Sequence, residues 1–128
     1  IADNSADIVC FISVFTHMYH VDIKNYLKLA ARLLKRQGEI FCTFFLMNES
    51  WLQYEKEGKS AYPMLHVLNE FCSFHNAQDP LHAIAYREDF IVDLFKESNF
   101  QIERISPGQW CGRKGAKNYQ DLIVATVP

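Results

Sequence analysis

A chain of 128 residues holds one domain with a real core, not two. Its hydrophobic share of 49% and charged share of 22% are those of an ordinary globular protein. A formal net charge of −2, with no Lys/Arg stripe, argues against a nucleic-acid or anionic-membrane binder, and no apolar run approaches the ~18 residues that a membrane span needs.

Residues 8–14 form a nearly continuous apolar run between polar residues, the pattern of a strand buried on both faces of a parallel sheet. Asp22 to Arg36 reads as a helix, with Ile23, Tyr26, Leu27, Ala30, Leu33 and Leu34 on one face. Asp22 suits its start, and Lys35, Arg36 and Gly38 suit its end. Ile40 to Met47 is a second apolar run. Strand, helix and strand with short loops imply a right-handed crossover between adjacent parallel strands.

Asn48 to Gly58 reads as a short helix capped by Asn48 and stopped at Gly58. Residues 60–86 leave two readings open. Residues 71–74 and 82–86 pair as a hairpin across the polar turn from Asn76 to Pro80, while Met64 to Phe71 reads equally as helix. Glu88 to Ser98 is a helix with acids in its first turn. Phe100 to Ile105 and Tyr119 to Val127 then read as strands, joined by a loop from Ser106 to Asn118.

The four cysteines lie far apart, with no Cys-x-x-Cys pair. They read as reduced and structural, which suits a cytoplasmic location. No Cys or His spacing suggests zinc. His20 precedes the helix start, and His66, His75 and His82 read as surface or hairpin residues.

The opening strand, the turn from Ser13 to Met18 and the helix end Ala31-Arg32-Leu33-Leu34-Lys35 resemble class I S-adenosylmethionine-dependent methyltransferases. Arg36 and Gln37 stand where that family usually has Pro and Gly. The likeness continues through Tyr86 to Phe95, Trp110 to Arg113 and Tyr119 to Asp121, so it covers essentially the whole chain. The resemblance implies an α/β fold: the C-terminal half of a Rossmann-like methyltransferase sheet. It comprises two parallel strands with a crossover helix, then a helix and a late antiparallel strand pair. The chain begins at Ile1, not Met, and the Gly-rich turn and ribose-binding acid of the family are expected upstream of residues 1–128. The resemblance therefore implies S-adenosylmethionine as cofactor of the parent domain, bound poorly or not at all by this chain alone.

By the same resemblance, Ser13 and Phe15 approach the cofactor through backbone and ring contacts. His17 faces a small-molecule methyl acceptor, as a base for a hydroxyl proton. The plainer alternative is that His17 packs or hydrogen-bonds at its turn. Tyr62, Tyr86 and Asp89 lie where the family covers its acceptor, and Trp110 and Arg113 lie in a loop that reaches the same face. Alternatively, Trp110 packs on the core and Arg113 is a solvated cation. An O- or N-methyltransferase and a non-catalytic half-domain both remain open. An unpaired first strand also predicts self-association, by antiparallel pairing of two such strands in a homodimer.

Overall fold

Seven strands and three helices make up the computed structural model, which describes residues 1–128. In chain order they are β1 (Ala6–Phe11), α1 (His20–Leu33), β2 (Leu34–Met47), α2 (Glu49–Lys56), β3 (His66–Asn69), β4 (Cys72–Phe74), β5 (Ile84–Arg87), α3 (Glu88–Glu97), β6 (Gln101–Ser106) and β7 (Asp121–Thr126). Short 3₁₀ turns occupy Phe15–His17 and Pro80–His82.

β2 is the strand on which the sheet assembles. β1 runs parallel to it, from Ala6 opposite Leu34 to Phe11 opposite Cys42. β7 lies antiparallel on its other edge, and β6 completes a hairpin with β7. β5 pairs parallel with Phe45 to Met47, and β4 and β3 extend outward from β5. The order is β3-β4-β5-β2-β7-β6, with β1 beside β2.

Because successive strand side chains point to opposite faces, β2 feeds two cores. Ile40, Cys42, Phe44 and Leu46 join Ile23, Leu27 and Ala30 of α1 and Ile91, Leu94 and Phe95 of α3. Phe45 and Met47 face the other way, into a smaller core with Met64, Ala85, Trp110 and Cys111. Trp51, Tyr54 and Tyr62 cover that second core. Cys10, Cys42, Cys72 and Cys111 are free thiols, the last three buried. Burial raises the Cys72 thiol to about 11, so it stays neutral and packs as a small apolar group.

Several expectations from the sequence need correction. β1 is not buried on both faces: Ile8 is 56% exposed and Ile12 just beyond it 55%. Helices cover one side of the strand only. α1 starts at His20, two residues before Asp22, and no side chain caps it. The His20 ring packs edge-on against Phe71 and Phe90, which draws it into the helix. The helix ends at Leu33 because Leu34 already pairs with Ala6 and Gln37 turns the chain at φ +63. Met64 to Phe71 is not helical; β3 occupies its centre. The hairpin reading of β4 and β5 holds, as does α2, where the Asn48 side chain accepts from the Trp51 amide.

The loop between β6 and β7 folds back and is fastened by one buried carboxylate. Asp121, 2% exposed, accepts from the Leu46 amide and the Trp110 indole through Oδ2, at 2.8 Å each. Its Oδ1 accepts from the Gly108 amide at 2.7 Å, and Arg113 Nη1 lies 3.8 Å away. Burial pushes this carboxyl above its ordinary range, and the three N–H donors and the guanidinium pull against that shift. Gly112 belongs to the same fastening: at φ +99, a Cβ there would strike the Lys59 carbonyl oxygen.

Asp121→Ala strands three donors and a guanidinium, and we expect it to lower the unfolding free energy by about 3–5 kcal/mol. Urea unfolding followed by tryptophan fluorescence measures this, and an unchanged midpoint would show that the carboxylate is dispensable.

Candidate functional site

Open α/β sheets bind ligands beyond the carboxyl ends of their parallel strands. Here that region begins where the chain leaves β1 through Ile12, Ser13 and Val14 into the first 3₁₀ turn. Ser13 sits at φ +56, a left-handed conformation that costs a non-glycine residue roughly 1–2 kcal/mol. Two tethers hold it there. Its amide donates to Thr43 Oγ1 at 2.8 Å, and its hydroxyl donates to Gln120 Oε1 at 3.2 Å. A cavity of about 640 Å³ opens beside it, with Cys10, Phe41, Thr43 and Leu122 contributed by the sheet and residues 117–120 by the loop before β7.

His17 closes the first 3₁₀ turn and is exposed. Its Nδ1 lies 3.0 Å from the Leu81 carbonyl oxygen. A carbonyl only accepts, so Nδ1 carries the hydrogen, and in the neutral form of the ring the lone pair is then on Nε2. That is the tautomer a general base needs, with the ring held by the second 3₁₀ turn.

The other residues singled out in the sequence are placed differently. Phe15 is fully buried, its ring stacked on Phe11 at 4.6 Å and tilted against Phe44 at 5.5 Å. No ring surface is left for a ligand. Tyr86 is 1% exposed, and its hydroxyl donates to the Met18 carbonyl at 2.7 Å. Burial pushes its phenol well above the usual range, so it remains a donor that anchors the turn after β1 to β5. Trp110 has no exposed surface and its indole N–H is committed to Asp121.

Arg113 donates to the Gly108 carbonyl and lies 5.9 Å from the Tyr54 ring centroid, fixed as part of the loop and not solvated. Asp89 starts α3. It accepts from Arg87 and from the Phe90 amide, and the Arg87 hydrogen bond holds its carboxyl below the ordinary range. Thus Ser13 and His17 flank the end of β1, while Tyr86 and Trp110 support the site from within.

The strand meander gathers residues that sequence spacing keeps apart. His66, His75 and His82 line one cavity of about 390 Å³ with Asn76 and Gln78. Tyr62 stacks on His75 at 4.1 Å, and His75 Nδ1 donates to the Pro63 carbonyl at 2.6 Å. The sequence reading made the three histidines surface or hairpin residues; the β3–β4–β5 meander brings them to one cavity. No group of three His, Cys, Asp or Glu side chains is arranged to hold a metal ion. No helix is long and apolar enough to cross a membrane.

No sequence-family model matches the chain. Solved structures do. An S-adenosylmethionine-dependent methyltransferase from Methanosarcina mazei superposes with a TM-score of 0.63 at 16% identity, covering 98% of this chain and 61% of that one. The 1,6-didemethyltoxoflavin-N1-methyltransferase of Burkholderia thailandensis, solved with 1,6-didemethyltoxoflavin and S-adenosylhomocysteine, gives 0.64 at 12% identity. That match covers 99% of this chain and 46% of the other. The fold is therefore class I methyltransferase-like. The chain spans about half to three-fifths of the length of these two proteins.

The residues present do not fit S-adenosylmethionine by themselves. The cavity beside Ser13 is lined by no carboxylate that could take a ribose diol, and its only charged residue is Lys117, unfavourable beside a sulfonium. Gly108, Gly112 and Gly115 sit in the loop before β7, not between a strand and a helix.

Tyr86→Phe removes one hydrogen bond from an otherwise unchanged core, and the expected loss of stability is about 1 kcal/mol. Chemical unfolding checks it. A loss near zero would mean that the Tyr86 hydroxyl does not anchor the turn.

Proposed function

We propose that this chain forms the acceptor-facing portion of a methyltransferase domain that transfers a methyl group from S-adenosylmethionine to a small-molecule oxygen or nitrogen. Support comes from the fold and, above all, from His17. The Leu81 carbonyl holds its proton on Nδ1 and leaves Nε2 free at the carboxyl end of β1. His17 takes the proton of an acceptor hydroxyl or amine on Nε2, and the Leu81 carbonyl stabilises the resulting imidazolium through Nδ1–H. Ser13, tethered to Thr43 and Gln120, shapes the adjoining cavity wall. In this reading the grip on the cofactor's ribose comes from residues outside positions 1–128, and the chain alone is inactive.

A second reading, a non-catalytic module that associates with itself, is favoured by β1. That strand pairs only with β2, which leaves its outer edge unpaired, and Ile8 and Cys10 are exposed on one face of it. Antiparallel pairing of two such edges across a two-fold axis gives a homodimer.

Calorimetric titration of the purified chain with S-adenosylmethionine separates the first reading into its parts. We expect no binding up to millimolar cofactor, whereas micromolar binding would show that these residues build the pocket unaided. In a longer protein that is active, His17→Gln should lower kcat by about 10²–10⁴-fold with little change in cofactor affinity. Gel filtration tests the second reading: a dimer at micromolar concentration that Ile8→Lys converts to a folded monomer. A wild-type monomer would exclude edge pairing.

A further inference from the structure

A separate groove lies between α2 and the β3–β4 ribbon. Its volume is about 380 Å³, within the size range of small-molecule sites. Met47, Trp51, Leu52 and Val67 supply an apolar lining, with Leu52 43% and Val67 76% exposed.

The charges around this groove are unbalanced. Glu49, at the start of α2, and Glu70, beside β3, both line it, and neither takes part in an ion pair or a side-chain hydrogen bond. Arg87, the one cation in the lining, is committed to Asp89. A smaller cavity, of about 190 Å³, that shares Glu70 and Arg87 adds Asp89 and Asp93. The polar neutral groups are largely committed as well. Asn48 caps α2 and donates to Glu88, and the Asn69 side chain accepts from the Phe71 amide. What remains unpaired is the two carboxylates and the buried indole N–H of Trp51, beside three aliphatic or thioether side chains.

We propose that this groove binds a small amphipathic amine. The ammonium sits between the Glu49 and Glu70 carboxylates, within reach of the Trp51 ring face for a cation–π contact, and the apolar body lies on Leu52, Val67 and Met47. A carboxylate or phosphate of similar size meets net repulsion, because Glu49, Glu70 and Asp93 stay uncompensated once Arg87 is paired with Asp89. A neutral analogue gains the apolar contacts alone.

The site does not depend on methyl transfer, and its test contains no cofactor. Phenethylamine, 2-phenylethanol and 3-phenylpropionate are titrated into the protein by calorimetry, with tryptophan fluorescence as a second readout. Trp110 is fully buried, so ligand-induced changes report on Trp51. The amine should bind about five- to tenfold more tightly than the alcohol, and the carboxylate most weakly. In Glu49→Gln/Glu70→Gln, both changes at exposed positions, the amine should fall to the affinity of the alcohol while the alcohol is unchanged. Leu52→Ser should weaken amine and alcohol alike. Equal affinity for all three probes, or an unaltered amine affinity in the double variant, would overturn the proposal.

Discussion

The buried carboxylate of Asp121 holds together parts of the molecule that have no other reason to meet. Its two oxygens take hydrogens from β2, from the start of the β6–β7 loop and from the indole of Trp110. A lone ionised carboxylate in a core is costly, and the cost is offset only when its lone pairs are filled by donors. Here they are, and the arrangement converts a long irregular segment into a wall. Trp110 fills the second core against Phe45, at 5.0 Å between ring centroids. Gln120, next to Asp121, meets Ser13 and sets the rim of the cavity beside it. The geometry at the end of β1 therefore depends on a residue in the last strand.

Much of the architecture was legible because the deciding forces are local or periodic. The stripe through Ile23, Leu27 and Ala30 specifies a helix whatever its surroundings, and so does the run of Ile91, Leu94 and Phe95. Asn48 caps the next turn by a contact three residues away. What could not be read was set at a distance. A continuous apolar run does not say how many of its faces are covered, so the exposure of Ile8 and Ile12 was invisible. The carboxyl end of α1 is decided by pairing between Leu34 and Ala6, which overrides the helical preference of Lys35 and Arg36.

The candidate site shows the same division. Position along the chain located Ser13 and His17 at the end of a strand, but side-chain direction did not follow from position. Phe15 turns inward onto Phe11 and Phe44, and Tyr86 and Trp110 spend their polar atoms on Met18 and Asp121. Aromatic residues with one polar atom suit a ligand pocket and a satisfied core equally well. Only the partner of that atom distinguishes the two. Likewise the tautomer of His17 is set by the carbonyl of Leu81, 64 residues away, and no local pattern announces it.

The bond between Asp121 and the Leu46 amide spans 75 residues. Closing so long a loop is entropically unfavourable until β2, β6 and β7 have already aligned, so the contact belongs to the native side of the folding barrier. The carboxylate consequently acts as a brake on unfolding, with little influence on how fast the sheet first assembles.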